Sequence, residues 1–138
     1  MARLRFQKHQ HMRAGAEFDR VFQGGSRARS DLFTIAVRPN GHDHSRLGLS
    51  VGKRIWKGAV QRNYVRRVFR EAFRTSQHEL PQGIDIIMIP GRPKLVPDLA
   101  EAQEQLVAMA RKALKRFREK EAKLAAGAVE PKRPATKS

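Results

Sequence analysis

The chain has 138 residues, room for one small domain, and its 29 Lys and Arg against 13 Asp and Glu give a formal net charge of +16, which points to a nucleic acid or another anionic surface as partner. The absence of cysteine excludes disulfides and thiolate metal sites. No apolar run is long enough to span a bilayer, and the opening Met-Ala-Arg-Leu-Arg-Phe-Gln-Lys-His lacks an apolar signal region, so a soluble cytoplasmic protein is expected.

Residues 1–12 are basic and aperiodic and are expected to be an extended arm, with the domain proper over 13–120. Ala14 to Gln23 carries Phe18 and Phe22 at i,i+4 with Val21 beside them, the pattern of a short helix stopped by Gly24-Gly25. By spacing alone the two rings are the stripe of a helix packed on a sheet. A short strand fits near 26–30, and Leu32 to Arg38 alternates Phe33, Ile35 and Val37 against Leu32, Thr34 and Ala36. Arg46 to Gly52 alternates Leu47, Leu49 and Val51 against Gly48, Ser50 and Gly52. It can be an antiparallel partner of the preceding strand, or its bare face can mark close approach by a ligand or another chain, and spacing leaves both open. Ile84 to Ile89 reads as a buried strand ended by Pro90-Gly91. Asp98 caps a long helix, with Glu101 at capping-box spacing and Leu99, Ala102, Leu106, Met109, Ala113 and Phe117 as its core stripe. Residues 121–138 are expected to be a disordered basic tail. The fold class is α+β: a single small domain with about four strands and three helices.

Between Lys53 and Arg74 stand eight basic residues and one acidic one. Ala59 to about Thr75 reads as a helix on which Arg62, Arg66, Arg70 and Arg74 recur every fourth position along one edge. Each like-charge i,i+4 pair costs a helix about 0.2–0.5 kcal/mol, so a solvated face normally alternates signs. At about 100° per residue, Tyr64, Val65, Val68, Phe69, Ala72 and Phe73 share one arc, and Arg62, Asn63, Arg66, Arg67, Arg70 and Arg74 the other. Glu71 lies at the border, where it can pair with Arg67. Arginine, to the exclusion of lysine, suits phosphate, because its planar fork binds two oxygens or stacks on a base. Asn63 adds an amide among the guanidiniums, and Lys53, Arg54 and Lys57 precede the helix, whose first amides also attract anions.

Other chemistry is sparse. His9-x-His11 and His42-x-His44 lie in polar segments with no carboxylate or thiolate pattern to complete a metal site. There is no Gly-rich phosphate loop, nucleophile elbow or HExxH. The acids are scattered, with no cluster suited to two magnesium ions, and Asp85 is expected to be a hydrogen-bonded strand carboxylate. An autonomous nuclease centre is therefore not expected, and no residue is assigned a catalytic or metal-binding role.

Leu47-Gly48-Leu49-Ser50-Val51-Gly52-Lys53-Arg54, then Ala59-Val60-Gln61-Arg62-Asn63-Tyr64-Val65-Arg66-Arg67 and Arg70-Glu71-Ala72-Phe73-Arg74, resemble the signature of the bacterial ribonuclease P protein family, and Glu17-Phe18-Asp19-Arg20-Val21-Phe22 with Gly25 is similar to its first helix. The resemblance covers roughly residues 13–118. Tyr64 stands where the family's Arg-Asn-Arg run has its second arginine, and Ala36 where relatives can present an aromatic. The resemblance implies a left-handed βαβ crossover through the arginine helix, against the usual right-handed rule. It implies an RNA-binding subunit of an endoribonuclease, a hydrolase whose RNA component, with bound Mg2+, removes the 5′ leader of precursor tRNA. The protein itself would hold no cofactor. Lys53, Arg54, Arg62, Asn63, Arg66, Arg67 and Arg70 would contact ribonuclease P RNA, and Phe18, Phe22, Thr34 and Ala36 would form the cleft for the single-stranded leader. No membrane and no obligate protein partner is expected. A ribosomal or rRNA-assembly protein is the alternative from composition, and a DNA-compacting protein the next.

Overall fold

The computed structural model describes residues 10–12 and 15–127. In chain order the elements are α1 (Ala16–Gly24), β1 (Ser26–Arg29), β2 (Phe33–Pro39), β3 (Arg46–Leu49), α2 (Ala59–Thr75), β4 (Ile84–Pro90) and α3 (Leu99–Gly127). The four strands form one mixed sheet in the order β1-β2-β4-β3, giving a single small α+β domain. β4 is apolar on both faces, so it belongs in the sheet interior, where neighbours cover both of its edges.

This order decides between the two readings of β3. β3 is not the antiparallel partner of β2; it runs parallel to β4, with Leu47 opposite Ile86 and Gly48 opposite Ile87. β4 lies between them and pairs antiparallel with β2 from Phe33–Pro90 to Pro39–Ile84. The β3–α2–β4 segment is thus a parallel βαβ unit, in which α2 makes the crossover that a parallel pair requires.

Two cores flank the sheet. On one face Phe33, Ile35, Val37, Ile84, Ile86 and Met88 meet Val65, Phe69, Ala72 and Phe73 of α2 and Leu106, Ala110 and Ala113 of α3. On the other, α1 lays Val21, Phe18 and Phe22 over Ala36 and Ile87, with Met12 alongside. The α3 stripe is wider than its sequence period suggests. Val107, Ala110 and Leu114 are buried while Leu99 is exposed, because α3 packs against α2 as well as β1 and β2. Its N-terminus is capped as expected: the Glu101 amide donates to Asp98 Oδ2 at 3.1 Å.

Both outer boundaries move. α3 runs through Gly127, so residues 121–127 continue the helix instead of opening the tail. At the other end Gln10 and Met12 are buried, His11 bridges to Leu47 in parallel register and the Met12 amide donates to Leu47 O at 2.8 Å. The end of the expected arm therefore covers the outer edge of β3, whose backbone groups would otherwise lack partners. The rest of the arm and residues 128–138 lie outside the described residues.

Asp85 is a hydrogen-bonded strand carboxylate, as expected. Arg46 donates to it from Nε (2.8 Å to Oδ1) and Nη2 (2.6 Å to Oδ2), and Asn40 donates from Nδ2 at 2.9 Å. The Asp85 hydrogen bonds, above all, raise the Arg46 pKa. The third nitrogen of that guanidinium donates to Glu17 Oε2 at 3.0 Å, fastening α1 to the sheet.

Candidate nucleic-acid interface

The basic edge of α2 lies along the β3 side of the molecule and is braced by main-chain carbonyls. Arg62 Nη1 donates to Trp56 O (2.9 Å) and Lys57 O (2.7 Å). Arg66 Nη2 donates to Val51 O (2.9 Å) and its Nη1 to Asn63 Oδ1 (3.1 Å). Each fork has five donors, so both retain nitrogens for an external anion. Asn63 spends its acceptor on Arg66 and presents its amide donor outward. Arg67 is exposed, and Arg70 is half-buried close enough to His11 to lower the imidazole pKa, after the larger effect of partial burial.

The segment between β3 and α2 holds Lys53 and Arg54 at the surface. Ile55 is buried and accepts from the Lys94 amide at 2.6 Å, and the Trp56 indole donates to Leu95 O at 2.8 Å. Lys53, Arg54, Lys57 and Lys94 share a hollow of about 520 Å³ beside the α2 N-terminus. Among the described residues, no carboxylate lies within 4.0 Å of Lys53, Arg54, Arg62, Arg66, Arg67 or Arg70. Glu71 binds Arg74 (2.7 Å, i,i+3) rather than Arg67, and the Arg74 hydrogen bond holds its carboxyl below the ordinary range. Arg74 thereby leaves the row of outward-facing cations. Tyr64 keeps 41% of its surface exposed and donates its hydroxyl to Pro97 O at 3.3 Å.

On the opposite face of the sheet, Phe18 and Phe22 are half-buried and meet edge to face, 6.3 Å between centroids. Each packs on the small core beneath α1, as the helical spacing predicts, and stays partly exposed. The bare face of β3 is also explained. A Cβ on Gly48 would lie 2.6 Å from Phe18 Cζ, so the close approach comes from this chain's own ring. Thr34 is half-buried on the open floor beside α1, but Ala36 is fully buried beneath it and offers no surface to a cleft, a correction that follows from α1 packing directly over β2. Arg27 of β1, a residue the sequence pattern did not single out, sits with its guanidinium 5.2 Å over the Phe22 ring.

The sequence pattern of the family described as Ribonuclease P matches residues 6–118. The chain belongs to the ribonuclease P protein family. It is 40% identical over 88 residues to the ribonuclease P protein component of Chromobacterium violaceum, a stretch covering 64% of this chain and 72% of that one. In three dimensions it is similar to the RNase P protein from Thermotoga maritima, with a TM-score of 0.66 at 32% identity over 74% of this chain and 96% of that one. It is likewise similar to the Staphylococcus aureus RNase P protein, with a TM-score of 0.62 at 29% identity over 77% and 93% of the two chains. Family membership makes the chain a component of a nuclease assembly with an RNA partner. Two of its acidic residues, Glu17 and Asp85, are engaged by Arg46, and a third, Glu71, by Arg74. Among the described residues no group of three or more His, Cys, Asp or Glu is placed to hold a metal ion, and no helix is long and apolar enough to cross a membrane.

Proposed function

We propose that this chain is the protein subunit of ribonuclease P, the endoribonuclease that removes the 5′ leader of precursor tRNA, and that it acts by binding and positioning. The α2 ridge of Arg62, Asn63, Arg66, Arg67 and Arg70, with Lys53 and Arg54, holds the catalytic RNA. The floor beside α1, with Phe18, Phe22 and Thr34, holds the single-stranded leader through stacking worth about 1–3 kcal/mol per base. Phosphodiester hydrolysis belongs to the RNA subunit, where Mg2+ supplies the Lewis acidity. This chain neutralises RNA phosphates and so helps the folded RNA retain its ions. The work is cytoplasmic, alongside the tRNA precursors.

One observation carries the proposal within the family frame: a one-sided row of guanidiniums, braced by backbone carbonyls and lacking carboxylate partners among the described residues, with two half-buried aromatic rings on the other face of the sheet. The test is reconstitution. Purified protein added to ribonuclease P RNA at low magnesium and ordinary salt should restore leader removal from precursor tRNA. Failure to restore it, with tight binding only to ribosomal RNA, would instead support an rRNA-assembly role.

A further inference from the structure

Register divides the α1 side of the sheet into rows that cross the strands. Arg27, Ala36, Ile87 and Gly48 form one row, and α1 covers its centre. Arg29, Thr34 and Ile89 form the next, which stays open and leads into a depression of about 800 Å³. The open row beside α1 therefore runs across the strands, from β4 over β2 to the β1 edge.

At the β1 edge the open row meets a set of cations. Arg27 rests on Phe22, and Arg29 projects from the same side of the strand two residues on. From the far face of the sheet, α3 sends Arg116 up to the edge, where its Nη1 donates to Arg27 O at 2.8 Å. Lys112 and Lys120 flank Arg116 one turn to either side on α3. All five are exposed, and among the described residues none has a carboxylate within 4.0 Å. The acids on these elements, Asp31 in the turn after β1 and Glu101, Glu104, Glu119 and Glu121 on α3, pair with none of them. Charges that merely guard an edge strand account for Arg27 and Arg29. They do not account for a third guanidinium drawn onto the β1 backbone, nor for two lysines at repulsive spacing behind it. The family match ends at residue 118, so the part of α3 that carries Lys120 lies beyond it.

We propose that β1 and the C-terminal half of α3 form a second anion-binding track, which takes up the sugar-phosphate backbone of single-stranded RNA as it leaves the open row. The partner is the distal part of the leader, and the inference rests on the leader-binding reading above. Arg27 and Arg29 receive the strand at the β1 edge, and Lys112, Arg116 and Lys120 carry it onto the helix.

The experiment uses holoenzyme reconstituted with ribonuclease P RNA. Its ligands are mature tRNA and precursors with leaders of about 4 and about 16 nucleotides, the span of single-strand sites. The wild type should bind the long leader more tightly than the short one. Lys112→Gln/Arg116→Gln/Lys120→Gln should lose about tenfold on the long leader, keep short-leader affinity, and show a salt slope shallower by about 2 units on the long leader alone. Equal losses on both leaders, or none, overturns the track. Lys112→Gln/Lys120→Gln leaves the Arg116 bond to β1 intact and should retain most of the effect. If only the triple variant shows it, the loss comes from loosening β1 and the track is refuted. Undiminished long-leader affinity after annealing a complementary strand to the distal leader would also overturn it, since a duplex would then be the ligand. A wild type that binds mature tRNA as tightly as either precursor removes the leader reading itself, whereas leader preference unchanged in the triple variant removes only the track.

Discussion

At Gly25 one absent methyl group decides how α1 can end. A Cβ there would overlap the carbonyl oxygens of Val37 and Val21, and backbone atoms cannot rotate aside. At Gly48 the obstacle is the far end of the Phe18 ring, at 2.6 Å, which can swing away. The two glycines are thus required to different degrees. Gly25→Ala should lower stability by about 2–3 kcal/mol and Gly48→Ala by about 1 kcal/mol, read from urea midpoints. The reverse ranking would mean that α1 does not seat against β2 as described. Arg62 and Arg66 belong to the same scale: each spends part of its fork on a carbonyl of the 50–58 segment, which lysine, with a point charge and no fork, would do less well.

As an element, α2 is two helices in one. Its apolar arc docks on the sheet, and its basic edge is trimmed at the C-terminal end, where Glu71 neutralises Arg74. Glu71→Gln should return Arg74 to the ridge and steepen the salt dependence of assembly with ribonuclease P RNA by up to about one unit. An unchanged slope would show that Arg74 points away from the RNA. The sign of the acid effect follows from the lowered Glu71 pKa. The ion pair contributes above the ordinary Glu value of 4.5 and is lost as pH falls through the depressed one, so acid and the amide substitution should act alike. With both partners about a third or more exposed, the stability change should stay small and the salt slope is the sharper readout.

For the molecule as a whole, Arg46 is the tie between layers. It joins Asp85 in the sheet to Glu17 on α1, with only 14% of its side chain exposed and 5% of that of Asp85. Removing the cation strands a buried carboxylate that, among the described residues, retains only the Asn40 amide. Arg46→Met should therefore cost about 3–5 kcal/mol, and Arg46→Met/Asp85→Leu should recover much of it, both by urea unfolding. A loss under about 1 kcal/mol in the single variant would mean that water replaces the pair. The same tie keeps the two surfaces proposed to bind RNA in one frame, with α1 on one face of the sheet and the α2 ridge along the β3 edge.

Local pattern determined much of this protein. The bounds of α2, its division into an apolar and a basic arc, the Asp98 cap and the paired state of Asp85 all follow from side-chain spacing and from the cost of leaving a polar group unsatisfied in an apolar strand. Which strand pairs with which did not follow, because period-two alternation marks a face without naming a neighbour, and β4 entered between β2 and β3 from 35 residues or more along the chain. Glu71 could reach arginines on either side, and only the folded geometry selected Arg74. Ala36 and Arg27 are cross-strand partners, yet α1 buries one and leaves the other over Phe22. Spacing along a helix or strand is a property of a few neighbouring residues, whereas burial and edge position depend on contacts between segments far apart in the chain, which tertiary packing alone decides.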